Sequence, residues 1–159
     1  MIKYFTLKIL NIFDFFHQRR IIKYLRKKGF KSFENILDVG AHKGESINLF
    51  LSNFKIKTIY SFEASPMTFK ILSDKIDYFR NKFKSSKIII ENYAIGAVKK
   101  KVSLKQLKES SSSTIRNLNE DSKYFKKKLF FLQGDKKGSF FKEVEVEQIT
   151  LSDYLIKHN

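Results

Sequence analysis

Short apolar runs alternate along the chain with longer segments in which apolar residues recur at helical spacing. The runs predict strands at 35–39, 58–62 and 87–91, and the segments between them predict helices at 45–54 and 64–83. Ser65 is expected to be the N-cap of the second helix, with Pro66 at its first position. Continuous apolar strands are typical of a sheet that is covered on both faces. The order strand, helix, strand, helix, strand indicates right-handed βαβ units in a mostly parallel sheet, so we expect an α/β fold with flanking helices.

The pattern changes after Gly96. A short strand is predicted at 98–104, and residues 109–128 form a polar loop or a weak helix because no apolar period organises them. The stretch "FFKEVEVEQITL" alternates apolar and polar positions, which predicts a half-exposed strand. A helix is expected to follow it, with Ser152 as its N-cap.

Residues 2–28 are predicted to form a helix, with Phe5, Ile9 and Phe16 among the apolar positions of one side. The same pattern fits a cap helix that packs on the domain or an amphipathic helix that lies on an anionic membrane. Gly29 is expected to end this helix. We therefore predict an N-terminal basic cap helix over 1–30 and one domain over 31–159, since no repeat or linker divides the rest.

The 159 residues carry a net charge of +16, and 27 of the 32 cations are lysines. A dedicated nucleic-acid role is not favoured, because a surface evolved for phosphates more often uses the planar fork of arginine. The chain has no cysteine, which excludes disulfides, thiolate metal sites and a cysteine nucleophile and is compatible with a cytoplasmic location. Charged residues interrupt the N-terminal apolar run, so it predicts neither a secretory signal nor a membrane span.

The strongest candidate site is the turn Gly40-Ala41-His42-Lys43-Gly44, which follows the first strand. It lacks the third glycine of a dinucleotide fingerprint, and it is not a phosphate-binding P-loop. Glu63 ends the second strand beside this turn, where an acid can accept both hydroxyls of a ribose. A ribose without a pyrophosphate suggests S-adenosylmethionine, with Asp38 orienting the loop or accepting from an ammonium group. The alternatives are that the glycines only permit the turn and that Glu63 is a solvated acid at a helix start.

The blocks "ILDVGAHKGESINLFL", "IYSFEASPMTFKIL", "IIIENYAIGA" and "VEVEQITLSDYL" resemble, in order and spacing, the FkbM-type S-adenosylmethionine-dependent methyltransferases. The resemblance implies the Rossmann-like class I methyltransferase fold and O-methylation, commonly of a sugar hydroxyl in a glycan or small molecule. It implies that the methionine part of the cofactor lies against Asp38, Gly40, Ala41 and Gly44, that Glu63 holds the ribose, and that Asn92 and Ala94 lie near the adenine. It assigns no role to the serine run at 110–113.

In the family, the "ITLSDYL" block is followed by a strand of the form I-D-x-x-K-I-D-x-E-G-x-E, which is not found before Asn159. We therefore expect a C-terminally truncated or split member, whose first strand has a bare edge that a downstream polypeptide could complete. Residues 1–159 alone are expected to be marginally stable, with weak or no transferase activity. The alternative is a non-catalytic remnant that binds a membrane or an anionic partner through its basic N-terminal helix.

No catalytic residue is assigned from the sequence. His42 is a candidate general base because of its ordinary pKa, but the sequence offers no acid that would orient it. We therefore favour a loop role for this residue.

Overall fold

The computed structural model describes residues 18–107, 113–114, 122 and 141–158. The chain divides into two compact units. The first comprises residues 1–29 and 116–140, and the second comprises residues 30–115 and 141–159.

Residues 18–27 of the first unit form helix α1, which confirms the C-terminal part of the predicted first helix. Residues 2–17 lie outside the described residues, as does nearly all of the predicted polar segment at 109–128. Gly29 ends the helix as predicted, with a left-handed φ of 88° and its N–H donating to the carbonyl of Arg26. Among the helices in the described ranges, none is long and apolar enough to cross a membrane.

The second unit contains a parallel sheet of three strands in the order β1-β2-β3. The strands are β1 (Ser32–Val39), β2 (Lys55–Phe62) and β3 (Lys87–Glu91). Asp38 pairs with Ser61, so the strands end at the same edge. The predicted parallel sheet is confirmed, and β1 and β2 begin three residues earlier than the apolar runs indicated because their pairing reaches Ser32 and Lys55.

Three short helices connect these strands, namely α2 (Glu45–Leu51), α3 (Pro66–Asp74) and α4 (Ile76–Lys82). Ser65 caps α3 as predicted, because its Oγ accepts the N–H of Thr68 at 3.2 Å. The prediction of one continuous helix over 64–83 is wrong. Lys75 has φ −101° and ψ −4°, outside the usual helical range, and it divides the segment into two helices.

A second, mixed sheet has the order β4-β7-β5-β6. Its strands are β4 (Ala94–Ile95), β5 (Lys100–Leu107), β6 (Ser113–Thr114) and β7 (Phe141–Ile149). The long β5 and β7 pair antiparallel, while β4 pairs parallel to the end of β7. The strand predicted at 98–104 thus lies two to three residues further along the chain, and β4 was not predicted.

Helix α5 (Leu151–His158) follows β7 directly. Ser152 lies inside this helix, so its prediction as the N-cap is wrong. Thr150 takes that role, because its Oγ1 accepts the N–H of Asp153 at 3.0 Å. The ring of Tyr154 packs edge-on against Phe62, with 4.9 Å between ring centroids, and thereby fixes α5 against the parallel sheet.

The core of the second unit is built on β2, whose neighbours cover it on both faces. Its largest fully buried apolar side chains are Phe62, Ile47, Ile59 and Leu72. Strand β1 differs, because none of its residues is buried and Val39 is 59% exposed. Within the described ranges, β2 is the one strand that pairs with β1.

Candidate cofactor-binding site

The turn after β1 is held in a conformation that ordinary residues avoid. Gly40, His42 and Gly44 have positive φ values of 88°, 51° and 89°. The N–H groups of Gly40 and Ala41 both donate to the carbonyl of Phe62, at 2.8 and 3.0 Å. The turn is therefore fixed against the end of β2, and glycine supplies two of its three left-handed positions.

The two glycines have different surroundings. A Cβ atom on Gly44 would lie 2.5 Å from a ring carbon of Phe79, so this glycine is required for the close approach of α4. A Cβ atom on Gly40 would meet nothing within 4 Å. Gly44 therefore serves the packing of the fold, whereas Gly40 leaves open space beside the backbone at the predicted cofactor site.

Glu63 joins the turn to the start of α3. One carboxylate oxygen accepts the N–H of His42 and the other accepts the N–H of Ser65, each at 2.9 Å. The residue is only 8% exposed. An ionised carboxylate has about four acceptor sites, so each oxygen keeps capacity for one further donor. The solvated alternative is wrong for Glu63, since its carboxylate is buried and bound.

The Asp38 carboxylate, near the end of β1, accepts hydrogen bonds from serines of α2 and β2. Its Oδ2 accepts the hydroxyl of Ser46 at 2.6 Å and that of Ser61 at 3.2 Å. Burial raises the pKa of Asp38, and the two serine hydroxyls oppose that rise by stabilising the charged form. The contacts agree with the predicted role of orienting the loop.

His42 has an acid partner that the sequence reasoning missed. Its Nδ1 lies 3.1 Å from both carboxylate oxygens of Glu45, which also accepts the N–H of Lys43. Because an ionised carboxylate only accepts, Nδ1 carries the proton. The Nε2 atom is buried and has no hydrogen-bond partner among the residues that the structure describes. The spacing H-x-x-E across a helix start was the available signal, since residues three apart face each other there.

Asn92 and Ala94 follow β3, and Asn92 is bound to backbone carbonyls whereas Ala94 packs among apolar side chains. The Asn92 amide donates to the carbonyls of Glu63 and Ala64, at 2.7 and 3.3 Å. It therefore ties the end of β3 to the segment that carries the buried carboxylate. Ala94 is buried in a small apolar cluster with Leu104 and Val146.

An open cavity of about 440 Å³ lies beside Asn92. Its lining residues are Pro66, Glu91, Asn92, Tyr93, Glu145, Val146 and Glu147. Two of the carboxylates already have partners, because Glu91 accepts the hydroxyl of Tyr154 and Glu145 accepts from Lys101. Of the predicted cofactor-binding residues, Asn92 alone is among those that line this cavity.

The structure brings most of the predicted residues together, while Ala94 lies apart from them in its apolar cluster. Asp38 and the turn are each bound to the end of β2, Asp38 by the Ser61 hydroxyl and the turn by the Phe62 carbonyl. Glu63 is bound to the turn by the N–H of His42. Asn92 is connected to them through the backbone of Glu63. The donors that bind Glu63 are backbone groups, so no residue type in the sequence marked them.

A search of curated proteins and a search of solved structures each gave no match. The family model described as "Methyltransferase FkbM domain" matches residues 38–159. The matched range begins at Asp38, the next-to-last residue of β1, and includes the turn, Glu63 and Asn92. The chain therefore belongs to the FkbM methyltransferase family.

Proposed function

We propose that the chain binds S-adenosylmethionine at the carboxyl ends of β1 and β2 and transfers its methyl group to a sugar hydroxyl. The observation that carries this proposal is the buried Glu63 carboxylate, which the backbone of the turn and of α3 hold in one orientation. Ligands of open α/β sheets bind at this edge of the sheet.

The chemistry of the site fits a nucleoside with an amino-acid tail. The remaining acceptor capacity of Glu63 suits the two hydroxyls of a ribose. The missing third glycine argues against a pyrophosphate at the start of α2. The open space at Gly40 allows the backbone to approach the methionine part. We assign the Asp38 carboxyl, which lies just before this turn, to the ammonium group of the methionine part.

The cavity beside Asn92 supports a place for the adenine. Pro66 and Tyr93 offer apolar surface to a flat ring, and Glu91 and Glu147 are acceptors for an exocyclic amine. Ala94 has its side chain in the apolar cluster, so we assign it to shaping this region rather than to direct contact.

When bound, the sulfonium of S-adenosylmethionine supplies an activated methyl group, so the protein mainly has to position the acceptor oxygen in line with it. The backbone of the turn and Glu63 fix one side of that arrangement. His42 is oriented by Glu45, but its Nε2 is buried. We therefore assign His42 to the shape of the turn and assign no general base.

The sugar or glycan acceptor and the cytoplasmic location rest on the family resemblance and on the composition. Among the described residues β1 pairs with β2 alone, so its other edge presents backbone N–H and C=O groups that a further polypeptide strand could pair with to complete the sheet. Cofactor binding is tested apart from methyl transfer, because the cofactor site lies at the ends of β1 and β2 within the described residues.

Isothermal titration of S-adenosylhomocysteine tests the proposal with the wild type, Glu63→Ala and the matched control Glu143→Ala, which removes an exposed carboxylate on β7 that does not line the cavity. We expect the wild type and the control to bind alike and Glu63→Ala to lose at least tenfold in affinity. Circular dichroism of each variant checks that it is folded. No binding by the wild type, or equal binding by Glu63→Ala, contradicts the proposal.

A further inference from the structure

Helix α1 exposes a face that combines apolar and basic side chains. Arg20, Ile21, Tyr24, Lys27 and Lys28 recur at spacings of three and four, so they lie along one side of the helix. All five are exposed, with Ile21 at 37% and Tyr24 at 60%. Ile22 is 6% exposed and lies on the opposite side. We call these five residues the outer face of α1.

The charge of this segment has one sign. Residues 18–29 contain six cations and no Asp or Glu. The ammonium group of Lys28 lies 5.8 Å from the centre of the Tyr24 ring, so a cation and an aromatic side chain share the surface. The segment therefore presents concentrated positive charge around two exposed apolar side chains.

We propose that the outer face of α1 docks the protein on an anionic lipid bilayer, a role beyond the proposed methyl transfer. Lysine and arginine near such a surface are attracted by the headgroups, and a helix with an apolar strip inserts it at the level of the headgroups. Tyrosine suits this depth because its ring is apolar and its hydroxyl remains wet. The combination of basic side chains with an apolar strip fits a membrane better than a nucleic acid, because a nucleic acid offers no apolar layer to Ile21.

Cosedimentation of the full chain with vesicles tests the docking. The vesicles contain phosphatidylcholine alone or phosphatidylcholine with a quarter phosphatidylglycerol. We expect binding to the anionic vesicles only, and a fall in binding as salt increases. The double variant Lys27→Gln/Lys28→Gln should lower the affinity for these vesicles about 25-fold, because each cation near the surface contributes about fivefold.

The control Lys55→Gln/Lys57→Gln removes the same charge from β2, where both lysines are exposed, and should bind like the wild type. Ile21→Ser/Tyr24→Ser keeps the charge and should also weaken binding, because docking requires apolar insertion. Urea unfolding of every variant checks that the fold is retained.

Three results would overturn the docking. The first is that the wild type shows no salt-sensitive binding to anionic vesicles. The second is that Lys55→Gln/Lys57→Gln loses as much binding as Lys27→Gln/Lys28→Gln, which would mean that net charge alone drives the binding. The third is normal vesicle binding by Ile21→Ser/Tyr24→Ser together with retention on single-stranded RNA that depends on Lys27 and Lys28. That result would assign the face to a nucleic acid.

Discussion

The two sheets of the second unit place their carboxylates in opposite settings. At the end of the parallel sheet, the Glu63 carboxylate is buried and accepts two backbone N–H groups. On the antiparallel pair β5–β7, the side chains of Glu143 and Glu145 are 62% and 64% exposed. Each lies near a lysine of the neighbouring strand, and a carboxylate oxygen of Glu145 is 2.8 Å from the Lys101 ammonium. A buried carboxylate constrains the fold around it, whereas an exposed one is screened by water.

The largest expected effect comes from Gly44→Ala at the parallel end. The left-handed backbone costs about 1–2 kcal/mol for a residue with a Cβ, and forcing the Phe79 ring aside adds about 1–3 kcal/mol. Gly40→Ala is the matched control, since it has the same φ but open space around it. Urea unfolding should show a markedly larger loss for Gly44→Ala, and equal losses would mean that α4 yields without cost.

Glu63→Gln is expected to destabilise the protein by about 1–3 kcal/mol, because the amide nitrogen cannot accept and leaves one buried N–H without a partner. Glu145→Gln, the matched change on the exposed strand, should leave the midpoint of urea unfolding within replicate error. If the two variants unfold at the same midpoint, the contrast between the sheets does not govern stability.

A smaller, pH-dependent effect is expected for Asp38→Asn. Burial raises the pKa of Asp38 in the folded protein, so as pH rises the unfolded chain releases this proton before the folded chain does. The contribution of Asp38 to the free energy of unfolding therefore falls as pH rises from its ordinary pKa of 3.8 through the raised value, and is constant above it.

The measurement is the difference in free energy of unfolding between the wild type and Asp38→Asn, from pH 3.5 to pH 7. Subtraction removes the titrations that the two proteins share. The difference should shift against the wild type as pH rises. A shift in its favour would mean that the hydroxyls of Ser46 and Ser61 outweigh burial.

The local sequence was sufficient where the determinants of structure are local. Strand β3 was predicted with its observed bounds because the run Ile88–Ile90 lies between polar residues. Ser65 and Pro66 marked the start of α3 in the same way. The break at Lys75 was missed because neither glycine nor proline signals it, so the division between α3 and α4 reflects packing in the folded chain.

The site shows the same limit. The proximity of Asp38, Gly40, Gly44 and Glu63 was predictable, because strand order brings the ends of β1 and β2 together. The backbone donors to Glu63 were not identifiable, because their placement depends on the left-handed turn. The pairing of β5 with β7 joins residues about 40 apart in sequence, and local alternation cannot name a partner at that distance.

Strand β1 sharpens the contrast within the parallel sheet itself. Its edge was expected to be bare, and none of its residues is buried, while β2 beside it is mostly buried. Leu37 and Val39 are exposed apolar side chains at the strand end that leads into the turn. Cofactor binding and the stability of the turn therefore need to be measured apart from methyl transfer.

The most direct test of the central claim pairs a change in the ligand with a change in Glu63. Affinities of S-adenosylhomocysteine and its 2′-deoxy analogue are measured for the wild type and for Glu63→Gln. If Glu63 holds the ribose, the wild type loses affinity about 10- to 100-fold when the 2′-hydroxyl is removed, because a hydrogen bond to a charged group contributes about 1.5–3 kcal/mol. The affinity of Glu63→Gln should fall much less on the same change of ligand. An equal loss in both proteins would show that Glu63 does not contact the ribose.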